Sequence, residues 1–93
     1  MTEPDRVRRH VWVDGRVQNV WFRDACRREA LAQGVDGWVQ NLGDGRVEAV
    51  FEGPPEAVAV LVAWCQDGPP RAQVSRVEVR DELLGAEDGF AVR

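Results

Sequence analysis

Near the start of the chain, hydrophobic and polar residues alternate with a period of two. The run that begins at Val7 places its valines on one side and His10 and Trp12 on the other. This alternation predicts a strand whose valines face the core. We therefore expect His10 to be a half-exposed strand residue rather than a catalytic base.

Two segments carry helical spacing instead. Residues 21–33 place small and apolar side chains three to four positions apart, and Gly34 follows as a common helix terminator. Residues 54–67 open with two prolines and a glutamate, which suit a first helical turn. A Gly-Pro-Pro sequence then ends the second helix.

Two alternating runs predict a β-hairpin. Residues 35–42 and 46–53 flank a Gly-Asp-Gly sequence that is typical of a hairpin turn. In the second arm, alternation predicts that Phe51 faces the core and that Val50 and Glu52 face outwards.

The remaining sequence completes the predicted fold. Residues 72–80 alternate as another strand, residues 81–89 form an acidic turn region, and residues 90–93 are a closing strand or a packed tail. The order βαββαβ predicts an α+β, ferredoxin-like sandwich, an antiparallel sheet with two helices on one face. We expect a single domain over residues 7–93, preceded by a flexible tail of residues 1–6.

Charge and composition narrow the class of function. Twelve basic and sixteen acidic residues give a net charge of −4, which argues against a nucleic-acid partner. All the basic residues are arginine, so chemistry that depends on lysine is excluded. No apolar run approaches the roughly 20 residues that span a bilayer, and the first residues are acidic. We expect a cytoplasmic monomer with no membrane partner.

The chain offers no convincing metal site. Its two cysteines, Cys26 and Cys65, lie inside apolar helical patterns, and it has a single histidine. No usual Cys/His ligand spacing results, so we expect no metal. We interpret the cysteines as small core residues in a reducing compartment, with a disulfide between the two helices as the open alternative.

Residues 13–23 combine features of an anion site. A strand end is followed by a glycine, a short polar loop and the start of a helix, with Arg23 in the first helical turn. Loop N–H groups and the helix N-terminus can converge on one anion, and the guanidinium of Arg23 matches a phosphate or a carboxylate. Taken alone, this stretch also suits a solvated surface arginine.

A second stretch makes the pattern more specific. Residues 15–23 follow Gly-Arg-Val-Gln-Gly-Val-x-Phe-Arg except at one position, and residues 37–48 follow Gly-x-Val-x-Asn-x-x-Asp-Gly-x-Val-Glu. In both signatures the chain resembles the acylphosphatases. That resemblance covers nearly the whole chain, and it agrees with the fold predicted from periodicity.

The resemblance implies an enzyme. Acylphosphatases hydrolyse acyl phosphates to a carboxylate and inorganic phosphate, without metal, cofactor or covalent phosphoenzyme. By correspondence with the signatures, Arg23 would bind the phosphate and Asn41 would position the water. Backbone N–H groups would complete the phosphate site, and they belong to Arg16, Val17, Gln18, Asn19 and Val20.

The chain departs from the first signature at Asn19, which replaces a glycine. Asparagine is the next most tolerant residue if this position needs a positive φ. Its side chain could crowd the phosphate or offer another donor. Asn41 also has a simpler interpretation, because asparagine often starts a turn.

Two other functions stay open at this stage. The first is a phosphate-binding or acyl-phosphate-binding module of the same fold without turnover. The second is an RNA-binding ferredoxin-like domain, for which Trp12 and Trp38 could supply stacking surfaces. The acidic net charge opposes the second.

Overall fold

A computed structural model describes residues 4–93. Seven elements follow one another along the chain: β1 (Val7–Arg16), α1 (Phe22–Gln33), β2 (Asp36–Asn41), β3 (Val47–Gly53), α2 (Pro55–Cys65), β4 (Gln73–Glu82) and β5 (Phe90–Val92). The predicted βαββαβ order is confirmed, and the closing strand is formed. Residues 1–3 of the predicted tail lie outside the described residues, so the domain boundary at residue 7 stays a prediction.

The strands form one sheet in the order β4-β1-β3-β2-β5. β1 runs antiparallel to both β3 and β4, and β2 runs antiparallel to β3. The short β5 is parallel to β2, so the sheet is mixed rather than wholly antiparallel. β5 is parallel to β2 because β4 ends at the end of the sheet where β2 begins. The chain therefore reaches the free edge of β2 from that end and runs in the same direction as β2.

Both helices cover one face of the sheet, as predicted. Val11 and Val13 of β1 and Phe51 of β3 pack into the same core as the buried residues of α1 and α2. Because apolar burial is the main favourable term in folding, this shared core fixes the helices against the strands. The loop between β1 and α1 is thereby held at one end of the sheet.

The cysteines are core residues, as predicted. Cys26 of α1 and Cys65 of α2 are fully buried free thiols. Burial raises the pKa of the Cys65 thiol to about 12 and the pKa of Cys26 well above its ordinary value. Such thiols stay protonated and are poor nucleophiles.

Alternation predicted that Val50 and Glu52 face outwards. Their side of the sheet was predicted correctly, but their exposure was not. Both lie on the sheet face opposite the helices, yet Val50 is fully buried and Glu52 is 1% exposed. The segment after β4 folds back over Glu52, where the N–H groups of Gly85 and Glu87 donate to the carboxylate at 2.6 and 2.7 Å. Arg8 adds a charge at 3.5 Å. Periodicity along β3 carries no information about this distant cover.

The environment of Glu52 predicts a pH-dependent contribution to stability. Burial alone would raise the pKa of this carboxyl, but the hydrogen bonds from Gly85 and Glu87 and the charge of Arg8 outweigh it, and the pKa lies below its ordinary value. A lowered folded-state pKa adds stability that is present above the unfolded-state pKa and is lost as pH falls through the folded-state pKa.

We expect Glu52→Gln to lower the free energy of unfolding at pH 7 by about 3 kcal/mol, as for one partner of a buried ion pair. The difference from wild type should shrink in acid, below about pH 4. Urea unfolding at both pH values measures it. Glu56→Gln, at an exposed position of α2, is the control and should cost less than about 1 kcal/mol. Equal losses in the two variants would contradict the assignment.

Candidate active site

A glycine forces the turn out of β1. Gly15 has a φ of 124°, and a bulge falls between Asp14 and Gly15. A Cβ atom at Gly15 would lie 2.2 Å from the carbonyl oxygen of Gln73, which is far inside contact distance. Because only glycine fits here, the chain can leave the sheet sharply and form the loop before α1.

The loop and the helix start present a continuous run of free N–H groups. Within residues 4–93, no backbone N–H from Val17 to Asp24 donates to a protein acceptor, and the first helical bond runs from Ala25 N to Trp21 O at 3.0 Å. A backbone N–H group that is shielded from water needs a hydrogen-bond acceptor. The positive end of the helix dipole also makes a negatively charged ligand favourable at the N-terminus of α1. Free N–H groups at the start of a helix are the kind of donor that binds an anion in other proteins.

Two residues of the loop adopt left-handed backbone conformations. Asn19 has a positive φ of 61°, the case considered above in which asparagine is the next most tolerant residue after glycine. Trp21, immediately before α1, has φ 65° and ψ 24°. A left-handed conformation costs a residue with a side chain about 1–2 kcal/mol, so the tryptophan stands at a strained position.

A cavity of about 380 Å³ opens beside this loop. Its lining comes from the loop, the first turn of α1 and the ends of β2 and β5, and consists of Val17, Asn19, Trp21, Phe22, Arg23, Asp24, Asn41 and Val92. The structure thus brings Arg23 and Asn41 to one cavity. Of the other predicted site residues, Val17 and Asn19 also line it, whereas Arg16, Gln18 and Val20 do not.

Arg23 is anchored from the end of the sheet. Its Nη1 donates to the backbone oxygen of Arg93 at 2.8 Å, and the guanidinium of Arg93 lies 4.4 Å from the ring centre of Trp38. The residue after β5 therefore holds the Arg23 side chain from one side. The other donors of the guanidinium fork remain available for a ligand.

Gln18 joins the loop to the β2–β3 hairpin. Its Nε2 donates to the carbonyl oxygens of Leu42 at 2.7 Å and Arg46 at 3.0 Å. These two carbonyls flank the turn that directly follows Asn41. The Gln18 side chain thereby ties the loop to the hairpin turn that follows Asn41, a role that sequence reasoning missed.

His10 lies elsewhere, as the strand pattern predicted. Its ring nitrogens are 2.8 Å from Glu48 Oε2 and 2.6 Å from Glu82 Oε2, and its ring stacks on Trp12 at 4.0 Å. It does not line the cavity. Within residues 4–93 there is also no cluster of three or more histidine, cysteine, aspartate or glutamate side chains suited to a metal ion. None of the helices in that range is long and apolar enough to cross a membrane.

Comparison with known proteins decides the family. The sequence model of the acylphosphatase family matches residues 9–92. The chain belongs to the acylphosphatase family. A protein of Gloeobacter violaceus named acylphosphatase is 62% identical over 77 residues, which cover 83% of each chain.

Solved acylphosphatase structures agree with this membership. The chain is similar to an acylphosphatase from Coxiella burnetii, with a TM-score of 0.92 and 37% identity over 96% of this chain and 94% of that one. It is also similar to the acylphosphatase from Bacillus subtilis, with a TM-score of 0.90 and 35% identity over 94% of this chain and 98% of that one.

The predicted fold and the predicted enzymatic activity are confirmed by these findings. The chain hydrolyses acyl phosphates, and a binding module without turnover is not favoured.

Proposed function

We propose that Arg23 and the backbone of residues 15–20 hold the phosphoryl group of the acyl phosphate, and that Asn41 holds the attacking water. One observation carries the proposal: a single cavity is lined by both Arg23 and Asn41 and adjoins a run of N–H groups without protein acceptors. A guanidinium, a side-chain amide and free backbone N–H groups are thus available around one substrate-sized space.

The phosphate side of the site suits a loose transition state. Phosphoryl transfer spreads negative charge over the equatorial oxygens, so fixed donors around those oxygens lower the barrier. The N–H groups of Val17, Gln18, Asn19 and Val20 belong to that run and supply neutral donors, and Arg23 supplies a permanent charge with a planar fork of donors. The hydrogen bond to the backbone oxygen of Arg93 limits the movement of that fork. Arg16 lies just before the run, at the end of β1, where it pairs with Gln73 of β4, so a contribution from its N–H stays a prediction.

The water side needs orientation more than basicity. The side-chain carbonyl of Asn41 accepts a hydrogen bond from the water, and its NH₂ group fixes the orientation of the amide. The water oxygen bonds to phosphorus while the bond from phosphorus to the acyl oxygen breaks. The carboxylate departs with that electron pair, and a phosphate oxygen accepts the proton. Because a carboxylate is a good leaving group, no strong base is required.

The site of attack tests this arrangement. We expect hydrolysis of benzoyl phosphate in H₂¹⁸O to place the label in inorganic phosphate, because Asn41 directs the water at phosphorus. Mass spectrometry of both products measures it, with excess chelator present throughout. Turnover should be unchanged by the chelator, because the residues above supply every donor without a metal or other cofactor.

The experiment has clear contrary outcomes. Label in benzoate would mean attack at the acyl carbon, and the proposed roles would be wrong. Loss of turnover in chelator, restored by a divalent cation, would mean that a metal supplies charge that is here assigned to Arg23. A mock reaction with product phosphate and benzoate controls for exchange of label after hydrolysis.

The cysteines and the net charge bear on the cellular setting. Two buried free thiols suit a reducing compartment, so the protein is proposed to act in the cytoplasm. The net charge of −4 disfavours nucleic-acid partners. The protein is also proposed to act as a monomer. Size-exclusion chromatography coupled to light scattering tests the oligomeric state.

A further inference from the structure

Trp21 is a conspicuously exposed aromatic residue at the edge of the cavity. Its side chain is 70% exposed, and it lines the same cavity as Arg23 and Asn41. An indole in water leaves a large apolar surface unburied, which is unfavourable unless something covers it.

The other three tryptophans, unlike Trp21, pack against other side chains. Trp12 stacks on His10, Trp64 meets Phe22 edge to face, and Trp38 lies beneath Arg93. Within residues 4–93, Trp21 takes part in no aromatic pair and no cation–π contact. Its ring is therefore free to contact a ligand.

The backbone gives no reason for tryptophan at this position. The left-handed conformation of Trp21 favours glycine or asparagine, and its side chain makes no capping hydrogen bond to α1. Strained positions of this kind cluster at functional sites, where the conformation places a side chain that the ligand needs. Here the conformation places an indole beside the phosphate loop.

The cavity is larger than the phosphoryl group requires. Its 380 Å³ would hold about a dozen water molecules at roughly 30 Å³ each, and it falls within the range of about 300–1,000 Å³ for pockets that bind small organic ligands. The space beyond the phosphoryl group is where the acyl group must lie.

The remaining lining defines what that acyl group can be. Apart from the side chains of Arg23 and Asn41, the lining consists of four apolar side chains, Asn19 and Asp24. Two of the apolar ones, Val17 and Phe22, are buried, so Trp21 offers the largest accessible apolar surface. The carboxylate of Asp24 disfavours an acyl group that carries its own negative charge.

From these observations we propose that Trp21 makes the enzyme selective for acyl phosphates with an uncharged aromatic acyl group, by stacking its indole on that group. The proposal rests on the phosphate and water roles given above. In-line attack places the leaving oxygen opposite the water, so the acyl group points away from Asn41. Trp21 lines the same cavity and is 70% exposed, and in this proposal its indole is the surface that meets the acyl group.

Selectivity between two substrates tests the proposal. We compare kcat/KM for benzoyl phosphate and acetyl phosphate in wild type, Trp21→Gly and Trp21→Phe. Glycine suits the left-handed backbone and removes the ring, and phenylalanine keeps an aromatic face. We expect wild type to prefer benzoyl phosphate, and the preference to fall about tenfold in Trp21→Gly, a factor typical of one aromatic contact. Trp21→Phe should retain most of it.

Inhibition by inorganic phosphate separates this proposal from the proposed function. Phosphate has no acyl group, so its inhibition constant should be the same in Trp21→Gly and in wild type if the phosphate loop is intact. Leu83→Ala, which truncates a side chain that is 92% exposed and lies outside the cavity lining, should leave both substrates unaffected.

Two results would overturn the role of Trp21. The first is an unchanged substrate preference in Trp21→Gly. The second is an equal loss for both substrates with weaker phosphate inhibition, which would mean that the indole only supports the loop. The first result leaves the assignments of Arg23 and Asn41 untouched, because they are tested by variants of those residues.

Discussion

Replacement of Arg23 by glutamine is expected to lower kcat/KM for benzoyl phosphate by about three orders of magnitude, the scale seen when a principal charge-stabilising donor is removed. Glutamine keeps a polar side chain of moderate length but loses the charge and the planar fork. The backbone N–H groups of the loop remain, so binding should weaken less than turnover. Steady-state kinetics and phosphate inhibition measure the two effects separately.

Arg27 provides a matched control on the same helix. It is exposed and does not line the cavity, so Arg27→Gln removes the same charge from α1 without touching the site. Its kcat/KM should stay within about twofold of wild type, as for a surface charge. Thermal unfolding checks that the loss of the bond from Arg23 to the backbone oxygen of Arg93 has not unfolded the protein. Near-normal turnover in folded Arg23→Gln would refute its role.

Local patterns were sufficient for the elements of the fold. Alternating valines predicted β1, and Gly34 marked the end of α1, where it adopts a left-handed conformation and its N–H donates to helical carbonyls. These features depend on near neighbours in the sequence, which is why the sequence reports them directly.

Contacts between distant segments were less predictable. The cover over Glu52 comes from Gly85 and Glu87, more than thirty residues away, and nothing in β3 signals it. The parallel direction of β5 likewise depends on where β4 ends in space. Alternation within a strand defines two faces but does not say which face another segment will cover.

In the candidate site, too, local sequence features could be predicted and contacts between distant segments could not. Arg23, Asn19 and Asn41 could be named because they lie in two signatures whose spacing resembles that of a family. The bonds from Gln18 to Leu42 and Arg46 depend on how the loop meets the hairpin, so its side-chain role required the structure. One feature of the sequence could have pointed to Trp21. It is a large aromatic residue that lies just outside the set of side chains that α1 buries.

Replacement of Asn41 by alanine is expected to lower kcat by about three orders of magnitude while KM and phosphate inhibition change little. The reason is that Asn41 orients the water and does not hold the phosphoryl group, so its loss affects the transition state alone. Arg23→Gln should instead weaken phosphate inhibition as well. This difference in kinetic pattern distinguishes the two roles within one set of assays.

A turn role for Asn41 makes a different prediction, and Asp44 supplies the comparison. The Asp44 side chain accepts hydrogen bonds from the backbone N–H of Arg46 at 3.1 Å and from its Nε at 2.9 Å, so it stabilises the hairpin turn itself. If Asn41 mattered only for the turn, Asn41→Ala and Asp44→Ala would reduce activity and thermal stability together. If it holds the water, Asp44→Ala should keep kcat while Asn41→Ala loses it with little change in melting temperature. Parallel behaviour of the two variants would leave the attacking water without its proposed ligand, and the mechanism would have to be abandoned.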